Sequence, residues 1–301
     1  MKIAVLMSTY NGEQYIAEQI DSILAQEGDF DLELHIRDDG SKDGTINILS
    51  RYEEEGKLRW YNNENLGPAK SFMDLIFSCG EYDLYSLADQ DDYWEKDKLA
   101  KAVKSIGEKT SPALYFSNAM LVDSRLESLG SVVYKKSPKI DFKTVSCAGG
   151  LLGCTMVFNN ALATLLRDKG MPEIMVMHDF YIAQVCLCFD GDIVYDDACS
   201  MKYRQHGGNV VGVSYGLWGK IKSRFSEITT KQRVSIASQA KSILKLYGED
   251  MSKEKKQWLD SVAEYRKNIF TRIKLAFSFK TRYINFNMGL KNRLSILFGN
   301  R

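Results

Sequence analysis

The chain opens on a continuous apolar run, KIAVLMS, turns polar at TYNGE, and continues with Ile16, Ile20, Ile23 and Leu24 at helical spacing. An uninterrupted apolar run predicts a strand buried on both faces, and the stretch after it predicts an amphipathic helix. The scheme then repeats. LELHIRDDGSKDGT reads as a second strand ending in a polar turn, with INILSRYEEE as its helix, and KLRWYNNENLGPAKSFMDLIFSC and YDLYSLADQDD follow suit. Strands alternating with helices predict βαβ units, and so an α/β fold built on a Rossmann-like, doubly wound and mostly parallel sheet.

In such a sheet, ligands bind beyond the carboxyl ends of the strands. STYNGE, RDDGS, NENLGPAK and DQDD all fall there, so four polar turns converge on one crevice. DQDD is the most demanding of them, because LYSLADQDDYWE carries an apolar run straight into Asp89, Asp91 and Asp92. Carboxylates this close raise one another's pKa unless a cation sits among them, and a hard divalent ion takes oxygen ligands. Each turn alone has a plainer reading: Asp38 and Asp39 as helix caps, Asn65 and Gly67 as a simple turn, DQDD as a solvated acidic corner.

A chain of 301 residues, 45% hydrophobic and 26% charged, suffices for one large domain with an appendage. Its first apolar run ends at Met7 and no later run approaches membrane-spanning length, so a cytosolic chain is expected. The six cysteines form no CxxC pair, which favours buried free thiols over a zinc site or disulfides. Charge divides the chain: residues 1–215 hold 21 Lys+Arg against 33 Asp+Glu, whereas 216–301 hold 19 against 6. We therefore expect an acidic body over 1–215 and a basic, amphipathic helical extension over 216–301.

In the extension, Leu217, Ile221, Phe225 and Ile228 alternate with Lys220, Lys222 and Arg224, and a similar mixture returns in NIFTRIKLAFSFKTRYINF and LKNRLSILFGNR. Basic amphipathic helices suit an anionic membrane surface. Packing on the acidic body, or pairing of subunits in a homo-oligomer, are the alternatives. No nucleic-acid recognition motif accompanies the charge, so no nucleic-acid partner is expected.

Taken in order, STYNGE, DDGSKDGT, NLGPAKSF, ADQDDYW, GCTMVFN, HDF and YRQHGGNVVG resemble family 2 of the inverting nucleotide-sugar glycosyltransferases, with its GT-A fold. The DQDD-x-W, HD and RQH-x-x-N forms are most similar to the bacterial rhamnosyltransferase branch. The resemblance covers about residues 1–215.

It implies that Thr9, Tyr10, Asn11 and Glu13 surround the nucleotide, that Asp38 meets the pyrimidine base, and that Asp39 and Ser41 shape that turn. Lys70 becomes a basic contact to the nucleotide. Asp91 becomes a direct ligand of Mg²⁺ or Mn²⁺, with Asp89 beside the ribose and the metal's waters. His206 falls in a loop closing over diphosphate and metal, with Arg204 and Asn209 as diphosphate partners. Asp179 is the implied base, and His178, which stands where a glutamate is usual, is placed among the sugar and acceptor residues. Tyr93 and Trp94 form a sugar-stacking platform, while Gly153, Cys154 and Thr155 shape the floor beneath the sugar.

The plainer readings are Trp94 as an aromatic anchor, HD as a capped helix start and His206 as structural. The implied reaction moves rhamnose from dTDP-rhamnose, or alternatively a hexose from a UDP-hexose, to a hydroxyl of a lipid-linked or polysaccharide acceptor at the inner face of the plasma membrane. A phosphotransferase would place its nucleophilic Asp after the first strand, where this chain has STYNG. A non-catalytic nucleotide- or glycan-binding module is opposed by the joint presence of Asp89, Asp91 and Asp179.

Overall fold

The computed structural model describes residues 1–149, 151–206, 235–278 and 293–299. The first half runs β1 (Lys2–Thr9), α1 (Ile16–Leu24), β2 (Asp31–Asp38), α2 (Thr45–Glu54), β3 (Arg59–Asn62), α3 (Pro68–Ser78) and β4 (Leu84–Ala88). There follow β5 (Tyr93–Trp94), α4 (Lys98–Ile106), β6 (Ala113–Val122), β7 (Ser128–Val132), α5 (Phe142–Ala148), β8 (Val157–Asn159), α6 (Asn160–Lys169), α7 (His178–Cys188) and β9 (Asp192–Arg204). The extension supplies α8 (Ile236–Tyr247), α9 (Lys253–Glu264) and α10 (Ile269–Phe277).

The strands form one sheet in the order β3-β2-β1-β4-β8-β6-β9-β5, with β7 paired to β6. β1 pairs parallel with both β2 and β4, and β2 with β3, as the repeated strand-helix pattern predicts. β8 runs antiparallel to β4 and β6, whereas β6 and β9 are again parallel. The three-residue β8 is entered from a single 3₁₀ turn, Gly153–Thr155.

Alternate residues of the central strands feed two cores. Ala4 and Leu6, Tyr85 and Leu87, Leu114 and Phe116 face α3, α5, α6 and α7. Ile3, Val5 and Met7, Leu84 and Ala88, Ala113 and Tyr115 face α1, α2 and α4. A strand buried on both faces cannot slip by one residue without trading one apolar layer for the other, so the register of β1 and β4 is fixed.

The extension completes the first of these cores. Ile236, Ala240, Ile243 and Tyr247 of α8 and Leu259 and Val262 of α9 are buried with the body's apolar residues. Gln239 donates to Gln184 Oε1 (2.8 Å) and accepts from the Val176 N–H (2.7 Å), and Ser242 accepts from the Ile174 N–H (3.0 Å). Packing on the body is thus the role of α8 and α9. The stripe Leu217, Ile221, Phe225 and Ile228, and the boundary at 215/216, lie outside the described residues.

All six cysteines are free, as expected, and four are buried. Among the described residues, no helix is long and apolar enough to cross a membrane.

Candidate functional site

The crevice is assembled where β1, β2, β3 and β4 end. Arg37, fully buried near the end of β2, pairs with Asp39, donates through Nε to Asp74 Oδ2 (2.9 Å) and through a terminal nitrogen to the Glu64 carbonyl (2.9 Å). Asp39 in turn accepts from the Leu66 and Gly67 N–H groups (2.8 Å each). Gly67 has φ 74°, which a side chain disfavours, and Pro68 then opens α3. Together these bonds fasten the second turn to the third.

The first turn is tied to both neighbours. Asn11 (φ 49°) donates its N–H to Ser41 Oγ (2.8 Å) and accepts from the Lys42 N–H (2.8 Å). Glu13 accepts from the Gly44 N–H, and Thr9 Oγ1 and the Tyr10 N–H both donate to Gln90 Oε1. Tyr10 stays 45% exposed at the rim, and Lys70 is exposed on the first turn of α3. Asp38 is fully buried and accepts from the Gly40 N–H (3.0 Å), the Ser41 N–H (2.8 Å) and Ser41 Oγ. Here Asp38 itself shapes the turn expected of Asp39 and Ser41, and it offers no free surface to a base ring.

Beyond β4 the carboxylates gather. One ligand atom each of Asp89, Asp92 and Cys154 lie within 4.8 Å of one another. Burial, then the charges of Asp91 and Asp179, push the Asp89 carboxyl up to about 7. Burial, then the charges of Asp91 and Asp89, raise Asp92 well above the usual carboxylate range. Asp92 Oδ1 accepts from the Arg204 N–H (3.1 Å), and its buried Oδ2 has no partner among the described residues. Burial, then the Asp92 and Asp89 charges, also raise the Cys154 thiol.

Beneath them Lys98 is buried, 3.2 Å from Ser86 Oγ and 3.6 Å from the centre of the Trp94 ring. Burial pulls its ammonium down to about 7, while Cys154 and Asp92 hold it up. Three crowded carboxylates and an orphaned buried oxygen are a donor set that fits a divalent cation.

Asp179, on the first turn of α7, faces the same cluster. Burial pushes it up to about 6 against backbone hydrogen bonds that lower it, including that of the Phe180 N–H (2.6 Å). A Cβ on Gly153 would stand 3.0 Å from His178 Nε2, 3.1 Å from Asp179 Cβ and 3.4 Å from Asp179 Oδ2, so glycine lets the 3₁₀ turn approach the HD pair. His178 is buried against Phe72, with ring centroids 4.1 Å apart. Thr155 is buried and bonded to the Leu152 carbonyl (2.8 Å).

His206 Nε2 lies 2.7 Å from Asp91 Oδ2, and its ring is 5.0 Å from that of Tyr15. Two expectations need correction. Trp94 is 1% exposed inside the core, capped by the Lys98 ammonium, so it anchors α4 and presents no face to a sugar; Tyr93 is half-buried, with Lys202 over its ring at 4.9 Å.

Arg204 is also 1% exposed. Its guanidinium donates to the Asp91 carbonyl (2.7 Å), the Ser124 carbonyl (2.6 Å) and Glu18, and covers Tyr15 at 4.4 Å. It is a clamp on the acidic turn rather than an open diphosphate contact. Asn209 lies outside the described residues.

Gln90, Lys98, Tyr15 and Glu18 were not singled out by sequence. Lys98 had a signal: with Ala102 and Ile106 it falls on the buried stripe of α4, where a lysine is out of place. Gln90 had none, since only the folded loops show that it bridges the first and fourth turns.

Three comparisons bear on this geometry. A sequence model of the family Glycosyl transferase family 2 matches residues 4–150. The dTDP-rhamnosyl transferase RfbG of Shigella flexneri is 30% identical over 236 residues, spanning 72% of this chain and 77% of that one. The poly(ribitol-phosphate) beta-N-acetylglucosaminyltransferase TarS of Staphylococcus aureus is 33% identical over 119 residues, 38% of this chain and 20% of its own. In structure, S. aureus TarS 1–349 in complex with UDP-GlcNAc superposes with TM-score 0.59 at 17% identity, covering 99% of this chain and 91% of that one. The mannosyltransferase PcManGT of Pyrobaculum calidifontis, in complex with GDP-Man and Mn²⁺, gives 0.51 at 16% identity over 99% and 74%. These neighbours share the α/β architecture and its curled, mostly parallel sheet.

The two roles of Arg204 separate in one variant. Arg204→Met should lower the unfolding free energy by about 1–3 kcal/mol, because it leaves the Asp91 and Ser124 carbonyls without their buried donor while Glu18 stays half in water. A urea melt that is unchanged, with nucleotide affinity alone reduced, would restore Arg204 as a phosphate contact.

Proposed function

The chain belongs to glycosyl transferase family 2, and from that premise we propose that it is an inverting transferase that moves rhamnose from dTDP-rhamnose to a hydroxyl of a lipid-linked or polysaccharide acceptor. The observation that carries this reading is the convergence of Asp179 with the carboxylates after β4, close enough for Asp179 to raise the Asp89 pKa. One carboxylate poised near neutrality beside a cation-binding set is what a displacement at a sugar carbon needs: a base for the attacking hydroxyl and a counter-charge for the departing diphosphate. A UDP-hexose donor is the second reading, supported by the UDP-GlcNAc complex of TarS.

In this reading the nucleotide lies over Thr9, Tyr10, Asn11 and Glu13, with Asp39 and Lys70 on its flank, and Tyr93, Cys154 and Thr155 border the sugar. Asp91 and His206, beside Asp89, would hold Mg²⁺ or Mn²⁺, which would offset charge on the leaving diphosphate. Asp179 takes the proton of the acceptor hydroxyl. Its carboxyl, raised to about 6, is mostly ionised at pH 7 yet basic enough to accept that proton.

The reading places the body over residues 1–215 and assigns the extension beyond it partly to a membrane surface. On α10, Ile269, Phe270, Ile273 and Phe277 are exposed, and so are Leu294 and Phe298 in the short helical segment over 293–299. Arg293 lies 5.6 Å from the Phe277 ring, which joins the two into one apolar face. Lys267 and Lys274 are exposed around it, and the nearest acidic residue, Glu264, is paired to Lys267. A second copy would set like charge against like charge, whereas an anionic lipid surface complements both the charge and the apolar residues. We therefore place the protein peripherally at the inner face of the plasma membrane.

Two outcomes test the proposal. Asp179→Asn should keep nucleotide binding while transfer from dTDP-rhamnose or a UDP-hexose falls ~10²–10⁴-fold, as loss of a general base does. In the wild type, because the base must be ionised, kcat should fall with decreasing pH through about 6 rather than through 4; an Asp179→Asn enzyme with undiminished turnover moves the base elsewhere. For the extension, the full chain should sediment with vesicles containing phosphatidylglycerol at low salt and be released at high salt, since each basic residue contributes about 1 kcal/mol within a Debye length. Phe270→Ser with Phe277→Ser should abolish sedimentation. If the wild type ignores these vesicles and the double variant instead turns a dimer into a monomer, the face pairs subunits.

A further inference from the structure

His178 carries an unexplained cost. It is 4% exposed, and among the described residues neither Nδ1 nor Nε2 has a hydrogen-bond partner. Burial lowers its pKa to about 3, so the ring is neutral, with one N–H donor and one bare acceptor, both unpaired. Buried polar groups left without partners destabilise a fold, and natural proteins rarely keep them without a use. Packing does not call for an imidazole here, because its ring contact among the described residues, the tilted stack on Phe72, would be made as well by a phenyl ring.

The location supplies the use. Nε2 and Asp179 Oδ2 border the same spot above Gly153, at 3.0 and 3.4 Å from where its Cβ would stand. A carbohydrate offers hydroxyls on adjacent carbons, spaced about one hydrogen-bond length apart, so one can meet the carboxylate while its neighbour meets the ring.

We propose that His178 is a specificity residue, pairing through Nε2 with the carbohydrate hydroxyl next to the one engaged at Asp179. The inference rests on the sugar-transfer reading above. The hydroxyl belongs either to the transferred sugar or to the acceptor; the chemistry is shared, and kinetics separates the two. The free protein carries the unpaired ring, and bound carbohydrate supplies the missing partner. Sites built to hydrogen-bond a hydroxyl discriminate strongly against ligands that lack it.

The test uses His178→Phe and His178→Gln in the full chain. Ligand-free His178→Phe should melt at a higher temperature than the wild type, because it keeps the stack on Phe72 and removes two unpaired polar atoms. Its affinity for dTDP and UDP alone should be unchanged. With dTDP-rhamnose and UDP-GlcNAc as probes, donor hydrolysis that falls 10-fold or more assigns the hydroxyl to the transferred sugar. Unchanged hydrolysis with transfer to an added glycan down 10-fold or more assigns it to the acceptor.

His178→Gln, which keeps one donor, should recover part of whichever rate is lost. A lower melting temperature for His178→Phe would show that the ring is paired in the free protein, and a higher one with both rates intact would make it a packing residue; either overturns the inference. A wild type that turns over neither probe refutes the transfer reading instead. The extra melting shift given by the sugar-bearing nucleotide over the bare one, present in wild type and absent in His178→Phe, then decides the role of His178 by itself.

Discussion

Asp89, Asp91, Asp92 and Asp179 occupy one partly dehydrated corner of the fold, and their mutual repulsion is the constraint around which the site is arranged. Asp89 is raised to about 7 and Asp179 to about 6, so the ligand-free chain holds protons there that free carboxyls would release. The surrounding devices limit the repulsion without cancelling it. Lys98 lies underneath with its charge only half retained at neutral pH, His206 sits 2.7 Å from Asp91, and Arg204 holds the backbone of the acidic turn. An orphaned oxygen remains on Asp92. The arrangement is strained toward gaining positive charge, which is what links a structural tension to a catalytic use.

Rigidity elsewhere makes this tension sustainable. β1 and β4 are buried on both faces, and the Arg37–Asp39 pair locks the second turn to the start of α3. Asp179 and His178 arrive from the other half of the chain on α7, brought close by the missing side chain at Gly153. α8 and α9 seal the core behind α7, so the extension supports the site before it serves any surface. Beyond them, α10 and the helical segment at 293–299 cluster exposed apolar side chains: Ile269, Phe270, Ile273, Phe277, Leu294 and Phe298.

Much of this could be read from the sequence because strands buried on both faces and turns at their carboxyl ends leave local marks. Asp179 was set beside Asp89 and Asp91 only by the family resemblance of the HD motif, whereas β1 to β4 and their parallel pairing follow from such marks. The antiparallel β8 did not, since a three-residue strand has no period to read. Trp94 and Arg204 looked available because aromatic and guanidinium groups near a polar turn usually contact ligands; their burial depends on Lys98, Glu18 and Tyr15, which are distant in sequence or disguised as surface residues. The basic charge of 216–301 likewise hid two helices whose apolar faces belong to the body's core.

The central claim, that the carboxylate corner exists to hold a divalent cation against a nucleoside diphosphate, is tested most directly by titrating Mn²⁺ into the full chain with dTDP or UDP present and following the free-ion electron paramagnetic resonance signal. The account predicts loss of that signal up to one equivalent in the wild type, and no such loss in Asp91→Asn. A signal that grows linearly from the first addition with either nucleotide, in wild type as in variant, would contradict it.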